Sequence, residues 1–176
     1  MFIEPAPDTG PILLQRATQV RDTETAPELM ERLSQTGAEL LSETLSRLDE
    51  LTPQRQNDSQ ATFAPVLKKE DGLIDWTKDA RAIDRRIRGL QPWPNAYTTF
   101  NGRGLTIWEA QPLLCVTSQI EPGEVVIAHR DELVVQCGYK TALRVLEVQP
   151  EARKRLAARD FINGMHIKIG DRLGKD

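Results

Sequence analysis

Cysteine is scarce in this 176-residue chain, which has only Cys115 and Cys137. Their spacing fits neither a metal-ligand set nor a disulfide framework, so both are expected as buried reduced thiols in a cytoplasmic setting. Histidine is as rare. His129 and His166 stand near no acid–base partner in the pattern, and both read as structural or solvent-facing. No stretch approaches the roughly 20 apolar residues that a membrane span needs. The opening Met1-Phe2-Ile3-Glu4-Pro5 lacks the basic and apolar regions of a signal peptide. A Gly-rich phosphate loop, an HExxH helix and paired cysteines are all missing, so no metal site is expected.

What is present is an uneven charge. The net of −3 divides into −6 over residues 1–60, with 5 basic and 11 acidic side chains, and +3 over 61–104, with 8 and 5. Residues 105–150 return to −3, and 151–176 hold 7 basic against 4 acidic side chains. Two basic segments separated by an apolar, strand-rich stretch suit a polyanion touched by part of the surface only.

Gly10 to Val20 has the apolar content of a strand after a tight turn, and Thr25-Ala26-Pro27-Glu28 has the form of a capping box. Leu29, Leu33, Leu40, Leu41, Leu45 and Leu48 follow at helical spacing, predicting a helix over about 25–48 with one apolar stripe. One strand and one amphipathic helix cannot close a core. The chain is therefore expected to be the rear portion of a larger enzyme, starting mid-domain just before the turn Asp8-Thr9-Gly10. Left uncovered, the stripe predicts local disorder or self-association of the first 50 residues.

Leu51 to Gln60 is polar and aperiodic and reads as a linker that continues, extended, to Asp75. A second helix is expected from an N-cap at Thr77 to about Leu90. Ala80, Ile83, Ile87 and Leu90 mark its buried side, and at about 100° per residue Lys78, Arg81, Arg85 and Arg88 gather on the other. Guanidinium groups at that spacing can meet successive phosphates, although Asp79 and Asp84 would balance a merely solvated face. Arg153-Lys154-Arg155, with Arg159 and Lys168, forms a second basic cluster, and Arg103 sits in the turn Asn101-Gly102-Arg103-Gly104.

Five short strands are expected at Ala96–Asn101, Leu105–Leu113, Gly123–His129, Glu132–Gln136 and Ala142–Gln149, then a helix near 156–163. That order fits a small open barrel of the OB type, with a plain five-stranded meander as the competing architecture. Trp76 and Trp93 are expected to pin the basic helix to the barrel, and Trp108 to pack in a strand, rather than to stack on bases.

Asp8-Thr9-Gly10-Pro11-Ile12-Leu13, Ala61-Thr62-Phe63-Ala64-Pro65-Val66-Leu67, Ile74-Asp75-Trp76 and Arg88-Gly89-Leu90-Gln91-Pro92-Trp93-Pro94 occur in that order. Together they resemble the methionyl-tRNA formyltransferase family, from about Met1 to Asn163. The resemblance implies an α+β chain. Residues 1–50 would be a remnant of a Rossmann-like catalytic domain (strand plus helix), 51–75 the linker, and 76–170 the helix and OB-type barrel with its C-terminal helix. It implies transfer of formyl from 10-formyltetrahydrofolate to initiator methionyl-tRNA, and a monomer when complete. Asp8 would belong to a catalytic Asn–His–Asp set and hold the imidazolium. The Asn would face the oxyanion. Both partners lie upstream in the family, as does most of the folate site, so this chain alone is expected to be inactive. The family has Gly-Leu before the Asp where this chain has Ala6-Pro7. A non-catalytic RNA-binding module, or a formyltransferase-superfamily enzyme acting on another substrate, stands beside this reading.

Overall fold

The computed structural model describes residues 1–114 and 120–174; Cys115 lies outside them. The chain forms two compact units, Met1–Val66 and Leu67–Asp176.

In the first unit, helix α1 spans Ala26–Ser46. Its start is fixed by Glu28, whose Oε2 accepts from the Thr25 N–H at 2.8 Å and the Thr25 hydroxyl at 2.9 Å. Pro27 stands in the first turn, where its missing N–H costs nothing. The stripe expected from the leucine spacing is largely open: Leu33, Leu41, Leu45 and Leu48 are exposed, and Thr44 is the buried residue of the helix. The strand expected over 10–20 does not form. Only Ile12 pairs, in an isolated antiparallel bridge with Gln54. An apolar run becomes a ladder only where a neighbouring strand takes up its N–H and C=O groups. Here Gln54 exchanges two 2.8 Å bonds with Ile12, and the Gln56 side chain donates to the carbonyls of Asp8 and Gly10.

The second unit is built on an antiparallel sheet. Its strands are β1 (Ala96–Phe100), β2 (Arg103–Leu114), β3 (Val125–His129), β4 (Glu132–Gln136), β5 (Thr141–Pro150) and the two-residue β6 (Leu156–Ala157). The spatial order is β1-β2-β5-β4-β3, with β6 paired to β5. Helix α2 spans Ala80–Gly89 and α3 spans Ala158–Met165. The strands form an open sheet of six, one more than the five expected. Among the described residues no ladder joins β1 to β3. The backbone of the C-terminal tail bonds to both edges instead: Leu173 N–H donates to Gly123 O at 2.8 Å, Val125 N–H to Asp171 O at 2.8 Å, and Gly174 N–H to Thr99 O at 2.9 Å.

Side-chain alternation explains the core. Leu105, Ile107, Val125, Leu133, Val135, Leu143, Val145 and Val148 point inward from the strands, and Ile83, Ile87 and Phe161 cover them from α2 and α3. Phe161 meets Phe100 edge-on, with ring centroids 5.9 Å apart. The β1–β2 turn uses Asn101 and Gly102, both at positive φ, as a tight hairpin favours. At the β4–β5 turn the left-handed positions are Tyr139 and Lys140. Gly138, beside them, serves contact: a Cβ there would stand 1.7 Å from the Thr77 carbonyl.

Candidate nucleic-acid interface

Helix α2 begins at an N-cap four residues after Asp75, and the cap is Asp79, not Thr77. Asp79 Oδ1 accepts from Ala82 N–H at 3.0 Å. Thr77 is held by Asp75, whose Oδ1 accepts its N–H at 3.0 Å and its hydroxyl at 2.6 Å. These bonds hold the Asp75 carboxyl below its usual range, the Thr77 hydroxyl contributing most. Trp76 is buried and donates from Nε1 to Thr98 Oγ1 at 3.1 Å, tying the segment before α2 to β1. Gly138 N–H donates to the carbonyls of Trp76 and Lys78 at 2.9 Å each. The basic helix is thus fixed to the sheet at its N-terminal end.

The four cations expected on one side of α2 differ in what they can do. Arg81 and Arg85 are exposed and have no ion-pair partner among the described residues. Lys78 is exposed, with Nζ 3.8 Å from Asp75 Oδ2. Arg88 is committed elsewhere: its Nε donates to Asp84 Oδ2 at 3.0 Å, and the two side chains are only 17% and 11% exposed. A helical wheel shows direction but not partners, so it could not separate Arg88 from its neighbours. It also passed over Arg86, which is exposed and donates to the Asp71 carbonyl.

The other cations are drawn partly together. Arg103 and Arg153, fifty residues apart in sequence, line one small cleft with Glu151, because β2 and β5 pair Leu105 with Pro150. Lys154 and Arg159 are exposed. Arg155 sits over the Trp108 ring, 3.2 Å from its centroid, and its Nη1 is 3.5 Å from Glu147 Oε2. Trp108 occupies the bulge between Ile107 and Glu109 and donates to Gln149 Oε1 at 3.0 Å. It is therefore a packing residue under a cation. Trp93 departs from expectation: at 56% exposed it does not pin the helix.

Asp8 lies in the first unit, exposed, with a positive φ of 58°. His129 and His166 are exposed too, and neither is near it in sequence. In the same unit Glu24 accepts from Arg32 Nε and Nη2 at 2.8 Å each, and this pair holds its carboxyl down at about 2. Cys137 is buried, and loss of water pushes its thiol up to about 12, with Asp79 adding to the shift. Among the described residues no group of histidine, cysteine and carboxylate side chains could hold a metal ion, and no helix is long and apolar enough to cross a membrane.

An open antiparallel sheet flanked by two short helices, the first of them cationic, defines the class, and the sequence places the chain in it. Residues 66–166 match the family "Formyl transferase, C-terminal domain", and the chain belongs to that family. The methionyl-tRNA formyltransferase of Solibacter usitatus is 47% identical over 177 residues, covering 99% of this chain and 56% of that protein. The methionyl-tRNA formyltransferase of Bacillus subtilis is 37% identical over 176 residues, covering 99% and 55%. The chain thus spans about half the length of these relatives. The crystal structure of HypX from Aquifex aeolicus in complex with tetrahydrofolic acid is similar in fold, with a TM-score of 0.67 at 16% identity over 96% of this chain and 30% of that one.

Proposed function

We propose that this chain is the C-terminal portion of a methionyl-tRNA formyltransferase. The whole protein moves a formyl group from 10-formyltetrahydrofolate to the amino group of initiator methionyl-tRNA, in the cytoplasm. The observation that carries this reading is similarity over 99% of the chain to proteins of that name, passing through both the Asp8 turn and the basic helix. On this reading residues 1–50 complete a Rossmann-like catalytic domain, 51–75 are the linker, and 76–170 are an OB-type domain. The complete protein is a monomer.

Asp8 is the third member of the catalytic set. Its carboxylate would orient a histidine and favour the charged imidazolium as the amine attacks. On the same reading the donor's site is contributed mainly from outside this chain. What the chain itself supplies is contact with the tRNA. Lys78, Arg81 and Arg85, beside an Arg88 held by Asp84, form one contact, and Arg103 with Arg153, Lys154 and Arg155 the other. Phosphates meeting these cations release counterions, and affinity falls as salt rises.

The test is binding of initiator methionyl-tRNA across a salt series, with formyl transfer assayed alongside. The chain should bind in a salt-dependent way and transfer no formyl group. The Arg81→Ala, Arg85→Ala, Arg88→Ala triple variant should bind more weakly and with a flatter slope. An unchanged slope would remove the basic helix from the interface. Turnover above background would show that the chain needs no upstream partners.

A further inference from the structure

The second unit contains a cleft that the phosphate contacts leave unused. It measures about 230 Å³ and is lined by Leu73, Ile74, Asp75, Lys78, Ile83 and Arg86. Its floor is apolar, because Ile74 and Ile83 are buried core residues, and Leu73 forms a half-exposed wall. Its rim is cationic. Lys78 carries one side, and Arg86 the other, with one Nη donating to the Asp71 carbonyl. Asp75 is fixed in place because Oδ1 accepts from Thr77, which leaves Oδ2 facing Lys78 at 3.8 Å. The volume falls below the roughly 300–1,000 Å³ of pockets for drug-sized ligands, so the occupant is one small flat group.

We propose that this cleft takes a single unstacked nucleotide of the bound RNA, its base over Ile74 and Ile83 and its phosphate at Lys78. The inference rests on α2 being a nucleic-acid contact. Three features favour a nucleotide over an apolar side chain from a protein partner. An aliphatic floor with a guanidinium at its edge can hold a heterocycle by burial and cation–π attraction. Asp75 Oδ2 can accept from an exocyclic amine, which an apolar side chain lacks. Lys78 borders both the cleft and the row formed with Arg81 and Arg85, so a strand following that row reaches the cleft without leaving its cations. A base read in a pocket, beside phosphates held by charge, would let this domain add selectivity to affinity.

The experiment follows the methyl signals of Leu73, Ile74 and Ile83 in the full chain, using cytidine 5′-monophosphate, ribose 5-phosphate and inorganic phosphate as probes, then tRNA. Cytidine monophosphate and tRNA should shift all three methyls, and the two base-free probes should not. Arg86→Gln should weaken the mononucleotide roughly tenfold. Leu73→Asp, on the exposed wall, should abolish its binding while the methyls of the sheet core stay in place. Equal shifts with ribose 5-phosphate or phosphate would overturn the proposal, since the site would then read an anion. If tRNA moves the amides of Arg81 and Arg85 but none of the three methyls, the cleft is overturned and the basic-face reading stands. If tRNA moves nothing on α2, both fail.

Discussion

Replacing the arginines of α2 one class at a time separates two jobs that the helix gives them. Arg88 bonds Asp84 at 3.0 Å with both side chains largely sheltered, at 17% and 11% exposed. An exposed i,i+4 pair is worth about 0.3–0.5 kcal/mol. Shelter raises the cost of breaking this one, because Arg88→Ala strands a carboxylate that water reaches poorly. A loss of about 1–3 kcal/mol is expected for such a group, and a unit of about this size loses roughly 4–8 °C of melting temperature for each kcal/mol. Arg81 and Arg85 have no such tie, so Arg81→Ala/Arg85→Ala should change stability by no more than about 0.5 kcal/mol. The order reverses in tRNA binding. Each lost phosphate contact flattens the plot of log affinity against log salt by about 0.7–0.9, so the double variant should lose about 1.4–1.8 of slope. Arg88→Ala should lose little, because its charge is already answered by Asp84. Thermal unfolding and a binding series at four or more salt concentrations measure both effects. A stable Arg88→Ala protein with a flattened slope, beside an unchanged slope in the double variant, would refute the division of labour.

Two further outcomes test other parts of the chain. Glu24 has its folded pKa depressed from 4.5 to about 2 by Arg32, so the stability it contributes is present above about pH 4.5 and lost as pH falls toward 2. The advantage of the native protein over Glu24→Gln should therefore shrink through that window, and the Glu24 side-chain carbon signal should titrate near its lower end; a midpoint near 4.5 would show the pair to be absent in solution. Gly138→Ala forces a Cβ to within 1.7 Å of a backbone oxygen and should cost at least about 1–3 kcal/mol, whereas Gly89→Ala, with nothing within 4 Å, should be neutral or stabilising by up to about 1 kcal/mol. Equal melting temperatures for the two variants would contradict the close approach at Gly138.

The strands were legible because their signal is local. Period-2 alternation and the turn residues Asn101-Gly102 place β1 and β2 within two residues of where they form, and Glu132–Gln136 forms as expected. The start of α2 was displaced because two residues competed for the same role: Asp75 engages Thr77, and Asp79 is left to cap the helix. Ile12-Leu13-Leu14 has strand composition, yet a ladder needs a second strand, which composition cannot report. The tail at 170–174 was illegible for a different reason. Its bonds to Gly123, Val125 and Thr99 come from backbone groups, and every sequence offers those.

The same difference runs through the candidate interface. Spacing alone gathers Lys78, Arg81, Arg85 and Arg88, since a helix fixes direction. It separates Arg103 from Arg153, and only the β2–β5 register brings them to one cleft beside Glu151. Arg155 then parts from that group, because Trp108 and Glu147 already hold its guanidinium. A cation fixed on an indole is poorly free to follow a phosphate, but it is also preorganised, and a phosphate that reaches it meets a group whose rotamer entropy is already spent. On the proposed reading the basic C-terminal cluster would therefore make two kinds of contact: Arg103, Arg153 and Lys154 would adapt to the polyanion, and Arg155 would offer it a fixed point.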